Sequence, residues 1–242
     1  MLPEYTVRES ARAKYVRLRV TPTDGLIIVV PHGFDRAGIP AILAEKRTWI
    51  DRALREAAAR RATLPPADQR PDEIPFRAIG QTWIVDWRRT PIEGVELSDR
   101  DTGVLRVRGE IDDATAWRDA LRDWVIDQAR TFLVPWLGAC AEELGVSVER
   151  VSVRCQKTRW GSYSTKGTVS LNAQLLFLPR PLARYVLIHE LCHATHPNHS
   201  PAFWQLIDRY ESDALRLRAE LRTAGTHVPV WLKRSASRRA MS

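Results

Sequence analysis

Cysteine is scarce and scattered in this chain. Cys140, Cys155 and Cys192 are odd in number and far apart, which argues against a disulfide framework. The sequence has no Cys-x-x-Cys pair, which argues against a zinc ribbon. No apolar run approaches the ~18 residues of a membrane-spanning helix, so no membrane partner is expected. The N-terminal stretch MLPEYTVRESARAKYVRLRV carries charges where a signal peptide needs an apolar segment. These absences give a cytoplasmic protein as the expectation. Acidic residues are missing after Glu220, whereas Arg222, Lys233, Arg234, Arg238 and Arg239 follow it. Residues 225–242 therefore read as a basic, disordered tail. The formal charge of +8 allows nucleic acid as a partner, and is equally the surface of an Arg-rich protein.

A hydrophobic fraction of 44% and a charged fraction of 27% are those of a globular chain and argue against wholesale disorder. The pattern predicts an α+β fold in which an N-terminal β-rich region with one helix (1–108) packs on a C-terminal domain (109–224). KYVRLRVTP alternates apolar and basic residues as a half-buried strand does; Thr23-Asp24-Gly25 is a turn, and LIIVVP returns as a second strand. Apolar residues at helical spacing predict one helix over 36–62. TLPPADQRPDEIP reads as a linker or long loop. Strands are expected within 76–108, and a long helix from Asp112-Asp113 to about Leu144, kinked or interrupted at Pro135. Short strands follow at about 150–155 and 168–173, with a polar loop from Lys157 to Lys166 between them. A helix is expected over about 182–195, and another from a Ser200 cap to about Ala224.

The chemistry concentrates in His189-Glu190-Leu191-Cys192-His193. Four helical positions place the two imidazoles one turn apart and about 40° apart in direction, so both can face one cation. Glu190, beside the first, can accept a proton from metal-bound water and later pass it to a leaving amine. Val186, Leu187, Ile188 and Leu191 make the surroundings apolar, and buried ionisable groups are costly unless paired or metal-bound. A catalytic zinc keeps three protein ligands and one open position. His199 is the favoured third ligand because the chain can fold back after Pro197; His196, Asp208 and Glu211 stay open as alternatives. The expected cofactor is one Zn2+ per chain, although such donors also accept manganese, cobalt or iron. A purely structural zinc would need a fourth protein ligand.

Three stretches carry a family resemblance: Cys155-Gln-Lys-Thr-Arg-Trp-Gly-Ser162, Val169-Ser-Leu-Asn172, and Tyr185 to Trp204, YVLIHELCHATHPNHSPAFW. Together they resemble the YgjP-like metallopeptidases, a family related to the SprT-like zincins. The likeness is tight over about 150–210 and extends loosely to the Lys46-Arg47-Thr48-Trp49-Ile50 helix. It implies a zincin-like metallopeptidase domain, peptide or protein substrates, zinc on His189, His193 and His199, and Glu190 as general base and acid. The kinship with SprT-like enzymes implies an alternative: a nucleic-acid-associated protein, or a protease acting on DNA-bound proteins. Tyr163 stands where the family often has Cys, and Ser212-Asp213 where it often has Pro-Asp.

Around this core, Trp160-Gly161-Ser162 reads as a tight turn whose glycine permits close approach or unusual backbone angles. Trp160, Gly161, Ser162, Tyr163 and Asn172 are candidates for lining the substrate, through strand addition, a polar contact or oxyanion donation. Each also has a plain structural role open to it. Phe203 and Trp204 read as packing beneath the metal site, and Cys192 as a small buried residue.

Overall fold

The apolar–basic alternation of Arg17–Thr21 (β2) pairs antiparallel with Gly25–Pro31 (β3), forming the expected hairpin. Gly25, at φ 65°, takes the left-handed backbone that its turn requires. Tyr5–Ser10 (β1), a strand that the sequence pattern left unassigned, adds parallel to the other edge of β3. The computed structural model describes residues 3–22, 24–62, 66, 68–101 and 103–233; Thr23 of the expected turn and most of 63–67 in the expected linker lie outside them. The helix expected over 36–62 is in three pieces: a 3-10 turn at Arg36–Gly38, Ile39–Glu45 (α1) and Arg47–Ala62 (α2). Ile39, Leu43 and Ile50 share one helical phase across the break at Lys46, so periodicity alone does not reveal it. They pack with Leu26, Ile28 and Val30 into a core belonging to this unit, which falls within residues 1–67.

The second unit is Asp68–Lys233. Glu73–Phe76 (β4), Gln81–Arg89 (β5), Val95–Asp101 (β6) and Val104–Gly109 (β7) form a sheet of order β4-β5-β7-β6, with β5 and β7 parallel. Ala114–Leu144 (α3) lies against it. Asp113 caps its start by accepting from the N–H groups of Thr115 and Ala116, and Gly145 at φ 67° ends it. The helix continues through Pro135 without interruption. Trp124 stacks on Phe76, and Trp117 meets Trp87 edge-on, joining helix to sheet. The expected boundary at 108/109 thus falls inside one hydrophobic core, because the β4–β7 sheet finds its apolar partner in α3.

Arg150–Arg154 (β8), Gly161–Tyr163 (β9) and Thr168–Asn172 (β10) form a small sheet of order β8-β10-β9. Strand β9 arises inside the stretch expected as a polar loop and is an edge strand. Arg180–Cys192 (α4), Pro201–Tyr210 (α5) and Ala214–Leu221 (α6) complete a mixed α+β architecture with three sheets and six α-helices among the described residues. The single helix expected from Ser200 to Ala224 breaks at Glu211–Asp213. The expected disordered tail is corrected over 225–233: Val228, Trp231 and Leu232 are buried in the main core, their apolar side chains outweighing the basic composition. Residues 234–242 of that tail lie outside the described residues. No described helix is long and apolar enough to cross a membrane.

Candidate metal centre

Helix α4 begins at the Pro179–Pro181 segment and buries Leu182, Tyr185, Val186, Leu187, Ile188 and Leu191. That burial fixes its rotation and turns His189 and His193 toward the chain that follows. His193 is the C-cap, still in helical geometry at φ −69° and ψ −14°. The turn through Pro197 then returns His199 to the pair. Ser200 caps α5 by accepting from the Phe203 N–H, fixing where His199 stands relative to that helix.

One ring nitrogen from each of His189, His193 and His199 lies within 4.8 Å of the others. The Nε2 atoms of His189 and His199 are 3.1 Å apart. Two nitrogens at zinc distance on a tetrahedral centre stand about 3.3 Å apart, so the spacing fits a shared cation. His193 donates its Nδ1–H to the His196 carbonyl at 3.0 Å, which leaves Nε2 as its free donor atom. His189 Nδ1 is buried without a partner. Burial, reinforced by His193 and His199, lowers the His189 pKa to about 4, so the ring is neutral and able to coordinate near pH 7. Phe203, fully buried, forms the floor, its ring 5.1, 4.7 and 4.7 Å from those of His189, His193 and His199.

Glu190 is 7% exposed. Burial raises its pKa to about 7, against the opposing effects of the Tyr163 N–H, which its carboxylate accepts, and of Arg159. Gly161 makes this position possible. A Cβ there would sit 2.7 Å from Glu190 Cγ and 2.9 Å from Oε1, so close approach, and not an unusual φ, is what the glycine provides. A cavity of about 400 Å³ opens beside the histidines. Its walls include Trp160, Gly161, Glu190, His189, His199 and Trp204.

This geometry is accompanied by a sequence match: residues 14–224 match the YgjP-like metallopeptidase domain. The chain belongs to the YgjP-like family. Two solved structures resemble this YgjP-like chain over 36% of its length. The metallopeptidase zymogen of Pyrococcus abyssi abylysin is 29% identical, with 89% of that chain covered and a TM-score of 0.33. The metallopeptidase zymogen of Methanocaldococcus jannaschii jannalysin is 23% identical, with 92% covered and a TM-score of 0.32. No curated protein gives a significant match.

Within the YgjP-like chain, the other candidates for the third ligand lie outside the cluster of donors found among the described residues. The His196 carbonyl holds His193, and Glu211 pairs with Arg184 at 3.0 Å; Asp208 is not among the clustered donors. Of the five residues considered for the substrate wall, Trp160 and Gly161 line the cavity. Tyr163 meets Glu190 through its N–H, and Ser162 pairs with Ser170 across the sheet. Asn172 faces inward instead. It is 2% exposed, donates to the Gln156 and Arg159 carbonyls, and accepts from the Gln156 and Gln174 N–H groups. Its amide shapes the loop that delivers Trp160 and Gly161. Trp204, expected beneath the site, is half-buried on the cavity wall. Arg159, Tyr185 and Arg218 also line the cavity, and sequence reasoning gave them no role there. No spacing signal marks Arg218, which the turn between α5 and α6 brings into place.

Proposed function

We propose that the chain hydrolyses peptide bonds with a divalent cation, zinc in the first instance, held by His189, His193 and His199. The observation that carries this reading is the convergence of three imidazole nitrogens within 4.8 Å beside a buried carboxylate. When bound, the cation supplies Lewis acidity toward the scissile carbonyl and lowers the pKa of water at its open position. Glu190 takes a proton from the attacking water at its carboxylate and returns it to the departing amine. A pKa near 7 suits both halves of that task. The Tyr163 N–H orients the carboxylate, and Gly161 leaves it room to move. Phe203 and Trp204 keep the imidazoles fixed and the floor dry. Among the described residues only three such donors cluster, which favours an open position over a closed structural site.

The test is cleavage of an unstructured protein by zinc-loaded enzyme. Glu190→Gln is expected to lower kcat/KM by about 10²–10⁴-fold while holding as much zinc as the wild type. Equal activity of the two proteins would overturn the assignment of Glu190. Inactivity of both on a broad panel of denatured proteins would overturn the hydrolase reading.

A further inference from the structure

The cavity carries more positive charge than the proton traffic of Glu190 draws on: Arg159 acts on that carboxylate, and Arg218 is not among the charges that do. Arg159 and Arg218 both line it. The Arg218 guanidinium lies 4.2 Å over the Trp204 ring. Trp204 in turn stacks on His199, with centroids 5.5 Å apart and planes 23° apart, and donates its Nε1–H to the His199 carbonyl. Guanidinium, indole and imidazole thus form one stack, which positions the charge in advance. This puts Arg218 within roughly 10 Å of the His199 ring, about three residues of an extended peptide at ~3.4 Å each.

Among the described residues, no carboxylate lies within ion-pair distance of Arg159 or Arg218. The contrast on α6 is direct. Arg216, two residues earlier, pairs with Asp213 and Glu220. Among the described residues, Glu190 is the one acidic side chain on the cavity wall, against two arginines. A second observation is independent of these charges. Tyr185 lines the same cavity, is 1% exposed, and has its Oη buried with no partner. A buried hydroxyl without a partner is costly, and a ligand oxygen would satisfy it.

We propose that this cavity is a carboxylate subsite, selecting peptides that present an acidic side chain or a free C-terminal carboxylate within about three residues of the scissile bond. The proposal rests on the peptidase reading above. Arg159 and Arg218 offer the planar donor pairs that match a carboxylate, and Tyr185 offers one hydroxyl proton.

Matched peptides test it in two arms. Glu/Gln pairs at each position flanking the bond, in peptides with amidated ends, read the side-chain source; free-acid and amide C-termini read the terminal source. Each set is measured twice: as kcat/KM on zinc-loaded wild type, and as binding, by fluorescence anisotropy, to zinc-loaded Glu190→Gln. We expect at least a tenfold preference for the carboxylate member in one arm. The Arg159→Gln/Arg218→Gln pair should shrink that ratio to within threefold, and Tyr185→Phe should reduce it by a few-fold. A wild-type ratio near one in both arms, or a ratio that the double substitution leaves intact, overturns the subsite. Cleavage without preference removes the subsite and keeps the peptidase. Arginine-dependent binding without cleavage keeps the subsite and removes the peptidase.

Discussion

At the scale of single residues, the site depends on one contact between a glycine and a carboxylate. Because a Cβ at Gly161 would sit 2.7 Å from Glu190 Cγ, Gly161→Ala must displace either the carboxylate or strand β9. Overpacking of this kind costs about 1–3 kcal/mol. We expect a lower thermal midpoint and a fall in kcat larger than any rise in KM, with zinc stoichiometry unchanged; wild-type kcat in this variant would contradict the contact. Proton linkage supplies a second check, on protein stripped of metal by chelation. Glu190 has a folded pKa of about 7 against an ordinary 4.5, so its contribution to stability is full below 4.5 and lost as pH rises through 7. His189 has about 4 against 6.5, so its contribution is full above 6.5 and lost as pH falls through 4. The two oppose each other between about pH 6.5 and 4.5. Glu190→Gln should therefore steepen the loss of stability on acidification from pH 7 to 5, measured as the urea midpoint; a slope equal to that of the wild type would refute this coupling. His189, Glu190 and His193 were legible because one helix sets their spacing. The use of Gly161 was legible as close approach, but its partner was not, since Glu190 reaches it only through the packing of α4 on β9.

At the scale of elements, the site sits where α4 ends, α5 begins and the edge strand β9 passes. Arg184 ties this region together. It bonds Glu143 of α3 at 2.8 Å and Glu211, just after α5, at 3.0 Å. Arg184 is 27% and Glu211 13% exposed, so solvent screens their pair only in part. Arg184→Ala should cost about 1–2 kcal/mol and lower the thermal midpoint, whereas Arg216→Ala, which breaks exposed pairs on α6, should leave it in place. Equal midpoints for the two variants would contradict a clamping role. The hairpin, the cap at Asp113 and the end at Gly145 were legible, because turn and cap chemistry are local. The breaks at Lys46 and Glu211–Asp213 were not, because apolar phase continues across the first and the second has neither proline nor glycine. Strand β9 was missed because three residues are too few for alternation to show.

At the scale of the molecule, the described residues form two hydrophobic clusters, one in each unit. The family match over 14–224 spans both units. Composition placed a boundary at 108/109, where strands give way to a long helix, but a core forms between elements and not along the chain. The net charge of +8, the feature behind a nucleic-acid partner, bears on non-specific binding and not on a particular site.

The central claim is a three-histidine cation site with Glu190 beside it but not in it. Metal content per chain after zinc loading and desalting tests it most directly. We predict one zinc in the wild type and in Glu190→Gln, and loss of that zinc in His189→Ala, His193→Ala and His199→Ala. Wild-type zinc content in a folded His199→Ala would contradict the account.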